Sequence, residues 1–159
     1  MFGYLKAVTA AQSIEQLAHY GPEPLEATVD ELAERLDRPS SRTIKAALLD
    51  QTVIAGIGNI YADESLFQAG IRPTRKVNRV TDNERLRLAK AVKKILALSV
   101  AQKGTSANDY VDTSGSKGSF QNLLKVYGRG DEPCVTCKKP LKKTVVAQRG
   151  THYCVNCQK

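Results

Sequence analysis

The chain has 159 residues, 42% of them hydrophobic and 25% charged, a length that suits one or two small domains. No run approaches the ~18 apolar residues of a spanning helix, and no secretory apolar segment is present, which argues against a membrane protein or a secreted disulfide scaffold. The net charge is +8 and the pI near 9.4, but residues 1–40 hold only Lys6, Arg35 and Arg38 against seven acidic residues, so residues 41–159 carry about +12. That asymmetry fits a polyanion-binding surface over the later part of the chain; a merely solvated basic surface is the plainer alternative.

Residues 1–20 read as a strand remnant and a short helix, broken at Gly21-Pro22-Glu23-Pro24. The next helix is predicted from Thr28, where Thr28-Val29-Asp30-Glu31 fits a capping box, and stops before Pro39. Ser40-Ser41 would cap another, with Ile44, Ala47 and Leu48 on one face. Gly56-Ile57-Gly58 then forces a turn, and Asn59 is predicted as the N-cap of a helix ending at Gly70. Glycines there let a phosphate approach the unpaired amides that open the helix, at the positive end of its dipole. An ordinary helical hairpin, with Asn59 capping its own helix, is the competing reading. Tyr61 and Phe67 fit an apolar helical pattern and are expected in the core.

The longest helix follows a second capping box, Thr81-Asp82-Asn83-Glu84, and runs to about Lys103-Gly104. Ala89, Val92, Leu96 and Val100 would share its apolar face, with Arg87, Lys90 and Lys94 on a solvated one. Residues 104–121, with Gly104, Gly115 and Gly118, read as a mobile loop. The chain closes with Cys134-Val-Thr-Cys137 and Cys154-Val-Asn-Cys157, 16 residues apart. This spacing is that of a four-cysteine zinc ribbon, so one structural Zn²⁺ is expected on Cys134, Cys137, Cys154 and Cys157. The segment between reads as a β-hairpin over the metal, with a glycine making its turn and His152 as a hairpin residue. The fold class is mainly α: a helical domain followed by a small β-hairpin zinc ribbon. Its expected parts are 1–24 (strand, helix and linker), 25–130 and 131–159.

Three blocks carry a family resemblance: Ile44 through Phe67 around Gly56-Ile57-Gly58-Asn59, then Val126-Tyr127-Gly128-Arg129, then Gln148-Arg149-Gly150-Thr151-His152-Tyr153-Cys154. Together with the cysteine pairs they resemble the C-terminal part, a helix-two-turn-helix domain plus zinc finger, of bacterial formamidopyrimidine-DNA glycosylase. The sibling endonuclease VIII family shares the knuckles, but the second and third blocks favour the purine-specific branch. The resemblance implies a base-excision repair role on oxidised purines in double-stranded, damaged DNA, in a cytoplasmic, nucleoid-associated bacterial monomer. It implies that Lys45, Gly58 and Asn59 bind phosphates and that Arg149 grips those flanking a flipped nucleotide. Thr105, Ser106, Asn108 and Tyr110 would fall in the lesion loop, with Asn108 standing where relatives often carry a cation.

The family's nucleophile is an N-terminal proline amine, whereas the first proline here is Pro22 and Met1-Phe2-Gly3-Tyr4 looks like the last strand of an N-terminal domain. The chain is therefore expected to bind DNA without the glycosylase/AP lyase chemistry unless that catalytic domain is supplied. A stand-alone zinc-dependent nucleic-acid-binding module and a zinc-ribbon protein–protein adaptor are the alternatives.

Overall fold

The computed structural model describes residue 9 and residues 18–37, 41–105 and 118–159. The expected strand and helix of residues 1–20 lie almost wholly outside these, as do Ser40, Ser106, Asn108 and Tyr110. Among the described residues the α-helices are α1 (Val29–Arg35), α2 (Ile44–Leu49), α3 (Asn59–Ala69) and α4 (Asp82–Ala101). An antiparallel hairpin of β1 (Lys142–Val146) and β2 (Arg149–Tyr153) follows, so the fold is mainly helical with a C-terminal hairpin, as expected.

Caps set the helix starts. The Thr28 hydroxyl accepts from the Glu31 N–H at 3.1 Å at the head of α1. At α2 the cap is Thr43, accepting from the Ala46 N–H at 3.3 Å, and not Ser40-Ser41 as expected. The serines lie too early: a capping oxygen must stand directly before the first helical residue to reach the amide three positions on. At α4 the Glu84 carboxylate accepts from the Thr81 N–H at 2.9 Å, closing the predicted box. Gly70 ends α3 in the left-handed region at φ 72°, as its position predicted.

Leu32, Leu36, Ile44, Leu48, Ile54, Ile57, Leu66, Ile71, Leu88 and Val92 form the main core, each almost fully removed from water. Such a side chain contributes about 1.5–3 kcal/mol. The buried face of α4 runs through Leu88, Ala89, Ala91, Val92, Ile95 and Ser99; Ala89 and Val92 are buried as predicted and Leu96 packs partly buried against the core, but Val100 is 67% exposed. The helix there has passed the edge of the core. Arg87, Lys90 and Lys94 are exposed. Tyr61 packs inward, its hydroxyl 2.6 Å from Ser99 Oγ, and Phe67 enters a second cluster with Val126, Leu141, Cys134 and Cys154.

That second cluster welds the C-terminal segment to the helices. The buried Gln158 side chain accepts from the Cys154 N–H and donates to the Ile71 carbonyl, both at 2.8 Å, while the Lys159 N–H bonds the Gly70 carbonyl at 3.0 Å. The hairpin turn departs from expectation. Ala147 and Gln148 make it, at φ 50° and 59°, while Gly150 lies inside β2 opposite Val145. A two-residue turn with both φ positive matches the strand twist, at a cost of about 1–2 kcal/mol for each non-glycine residue.

Candidate nucleic-acid interface

The turn between α2 and α3 is stapled by its own polar side chains. Gln51 donates to the Leu49 and Ile57 carbonyls at 3.2 and 3.1 Å and accepts from the Gly56 N–H at 2.8 Å. Asp50 holds the Thr52 hydroxyl at 2.7 Å and Arg42 at 2.6 Å, and these partners bring its carboxyl down to about 2. Val53, Ile54 and Ile57 anchor the turn from below. The start of α3 is thus presented rigidly. Gly58, not Asn59 as expected, is the capping residue, and no side chain caps the helix, so the first amides of α3 are left without one. Asn59 is the first helical residue because its amide has a distant partner: it donates to the Gly150 carbonyl at 2.9 Å.

Gly58 has an ordinary backbone at φ −99°, and a Cβ built there would meet nothing within 4 Å. Neither conformation nor internal packing calls for glycine, which leaves access as its physical use. Opposite stands Arg149, exposed, its guanidinium without an ion pair or hydrogen bond among the described residues. Leu49, Gln51, Ile57, Gly58, Asn59, Ala147 and Arg149 line one open groove of about 580 Å³. Helix amides on one wall and an arginine fork on the other suit a phosphodiester.

The four cysteine thiols lie within 4.8 Å of one another, with Cys134–Cys157 at 3.9 Å and Cys137–Cys154 at 3.4 Å. Tetrahedral zinc at ~2.3 Å from each sulfur requires edges of about 3.8 Å, whereas a disulfide requires about 2.05 Å. Burial pushes the Cys154 thiol up and the Cys157 thiol up to about 12, whereas the Lys139 backbone N–H brings Cys137 down to about 7; a cation among the four sulfurs would favour the thiolate form at each. The residues fit one structural zinc, which would pin the base of the hairpin.

Comparison with known proteins agrees with this geometry. The family model described as "Formamidopyrimidine-DNA glycosylase H2TH domain" matches residues 20–111, and "Zinc finger found in FPG and IleRS" matches residues 131–159. The chain belongs to the formamidopyrimidine-DNA glycosylase family. It is 49% identical over 161 residues to the formamidopyrimidine-DNA glycosylase of Desulfitobacterium hafniense, covering 99% of this chain and 59% of that protein. Identity to the Listeria monocytogenes protein is 48% over 150 residues, covering 93% and 54%. The chain therefore spans little more than half the length of these relatives. Among solved structures, the Thermus thermophilus MutM (Fpg) protein superposes with TM-score 0.84 at 41% identity, over 94% of this chain and 57% of that one. A complex of Lactococcus lactis Fpg with DNA containing an abasic site superposes with TM-score 0.86 at 35% identity, over 96% and 57%.

Gly58, Asn59 and Arg149 thus share one groove, whereas Lys45, named with them by the resemblance to this family, lies beneath it. Its ammonium is fully buried, 2.6 Å from Asp63 Oδ1, and donates to Thr151 Oγ1 at 2.8 Å and the Gly150 carbonyl at 3.2 Å. Protein acceptors occupy the donors that a phosphate would use. Burial lowers the Lys45 pKa and raises that of Asp63, each opposed by the other's charge. Thr105 is half-buried and does not line the groove; the other lesion-loop candidates, Ser106, Asn108 and Tyr110, lie outside the described residues.

Sequence reasoning missed both carboxylates of α3. Asp63 accepts the His152 N–H at 2.9 Å, and buried Glu64 takes the N–H groups of Lys125, Val126 and Tyr127 at 2.9–3.0 Å, fixing the loop ahead of the zinc finger. Two acids inside an otherwise apolar helical run were the available signal, because buried carboxylates need partners.

Proposed function

We propose that this chain is the DNA-gripping portion of a formamidopyrimidine-DNA glycosylase, holding the duplex around an oxidised purine while a catalytic N-terminal domain carries out base excision. In this reading it acts as a monomer in the bacterial cytoplasm, at the nucleoid. Residues 25–130 serve as the helical DNA-binding unit and 131–159 as its zinc finger. The observation that carries it is the shared groove: open amides at Gly58 and Asn59 on one wall, and the unpaired Arg149 fork on the other. A flipped base requires the phosphates beside it to be clamped, and both walls offer donors that read phosphate rather than sequence. The net charge of +8 adds long-range attraction to a polyanion.

The test is duplex binding across a salt series. Affinity should fall steeply with salt, by a log–log slope of about 0.9 per phosphate neutralised. Arg149→Ala should weaken all duplexes alike and flatten the slope by about one unit. An unchanged affinity and slope would make the hairpin a structural element only.

A further inference from the structure

Lys45 and Asp63 are fully buried charges that the groove itself does not use. We infer that their ion pair positions Arg149: it holds β2 so that the arginine at its start points into the groove. This rests on the phosphate-clamp reading of that groove.

One apolar contact lies beside Arg149, its cross-strand partner Val146, which is 6% exposed; the rest of the support for β2 there is polar. Arg149 and Gly150 are exposed, as is Val145 across the hairpin at 71%. What holds this stretch is a connected set of bonds. Asp63 accepts the His152 N–H at 2.9 Å; Lys45 donates to Thr151 Oγ1 at 2.8 Å and to the Gly150 carbonyl at 3.2 Å; Asn59 donates to that carbonyl at 2.9 Å. The Thr151 hydroxyl in turn donates a hydrogen bond to the Arg149 carbonyl at 3.0 Å. Every residue from Arg149 to His152 is thereby tied, directly or through Thr151, to α2 or α3. The Lys45 ammonium thus hydrogen-bonds Thr151 and Gly150 on β2 while its charge faces Asp63 Oδ1 at 2.6 Å.

Zinc does not supply this orientation. Cys154 is the nearest ligand, five residues from Arg149, and at ~3.3 Å per residue the lever is about 16 Å. A slack of about 10° at the metal would move the arginine by about 3 Å, well beyond hydrogen-bond tolerance. An isolated two-stranded hairpin is not stiff enough to remove that slack. The buried pair reaches as near the tip as the Asn59 bond to Gly150, and a charge on each side makes the seat specific in register: displacing β2 by one residue would leave both ions buried without their strand partners.

The experiment uses the zinc-loaded chain and the double variant Lys45→Met/Asp63→Leu, which removes the pair without changing net charge, so that long-range attraction to DNA is preserved. Replacement of a buried pair by apolar side chains of similar volume is commonly tolerated by the fold. In the parent, Arg149→Ala should cost about tenfold in affinity for a duplex. In the double variant the salt slope should already be flatter by about one, and adding Arg149→Ala should cost less than twofold. An equal tenfold loss in both backgrounds would overturn the inference, since Arg149 would then find its place without the pair. So would Lys45→Met and Arg149→Ala each flattening the slope by one independently, which would make Lys45 a phosphate ligand itself.

Thr151→Val, nearly isosteric, cuts only the hydroxyl link and covers the case in which the double variant fails to load zinc. A second readout needs no DNA. Backbone order parameters of Arg149 and Gly150 should fall from the rigid range near ~0.85 to below ~0.6 in Thr151→Val or the double variant. Unchanged order in both variants overturns the positioning role even if the parent binds DNA. A parent that binds no duplex while those amides loosen defeats the clamp reading and leaves the anchor standing.

Discussion

Gly58→Asp separates what the groove does for the fold from what it does for a ligand. The capping residue of α3 is in an extended conformation, φ −99° and ψ 179°, and has open space where a Cβ would go. Aspartate adopts this backbone freely and is among the best capping residues, better than glycine by a few tenths of a kcal/mol. Its charge at the positive helix end adds about 0.3–1 kcal/mol. The variant should therefore be as stable as the parent or up to about 1 kcal/mol more stable. Binding should move the other way. The carboxylate takes the amides that a phosphate would use and places a negative charge some ~5 Å from it, a repulsion of about 1–3 kcal/mol for effective dielectrics between ~80 and ~20. Duplex affinity should drop roughly 5- to 150-fold. Thermal melting and fluorescence anisotropy on the same preparations decide it. A variant that melts higher yet binds DNA as tightly as the parent would refute the assignment of phosphate to this helix end.

Removing the metal should be more drastic. Chelation should unfold residues 131–159 and release four reactive thiols, read by thiol titration and the loss of dispersed hairpin resonances, because in so small a segment the metal stands in for a core. Acid should loosen the helical part by a different route. Arg75 beside Glu84 holds that carboxyl down to about 2, and Thr52 and Arg42 hold Asp50 down to about 2, from ordinary values of 4.5 and 3.8. Both groups have lowered folded-state values, so their stabilisation is complete above about pH 5 and fades as pH falls toward 2; Glu84→Gln should remove about 1–2 kcal/mol of it at neutral pH and flatten the acid limb of the melting curve. Borohydride trapping on an abasic duplex should yield no adduct with this chain. A Schiff base needs a neutral amine at the sugar, and Lys45, which burial drives toward neutrality, is sealed under β2. An adduct abolished by Lys45→Ala would overturn that.

The features legible in the sequence are those set by neighbours along the chain. The paired CxxC spacing named all four thiols that the fold gathers, because each pair needs only its own tight turn to aim two sulfurs at one point. Thr28, Glu84 and Gly70 were readable as caps for the same reason: their partners lie within four residues. Asn59 misled because it fits a cap locally, yet its best acceptor is the Gly150 carbonyl, 91 positions away. The hairpin turn misled because a nearby glycine is the cheaper choice, and Ala147 and Gln148 bear the positive φ instead.

Lys45 gives the sharpest case. The family resemblance placed it among the phosphate contacts, and its residue type alone gives no sign of burial. Its position does: it stands in α2 among Ile44, Ala47 and Leu48, and its counter-ion Asp63 stands in α3 inside a run that is buried from Ala62 to Phe67. A charge on a helix surrounded by core must be neutralised, and the partner must come from another element at matching depth. Applied at the outset, that rule would have paired the unaccounted lysine of α2 with an acid of α3. It would also have placed the lysine beneath β2, against Thr151 and Gly150, and not on the wall of the groove.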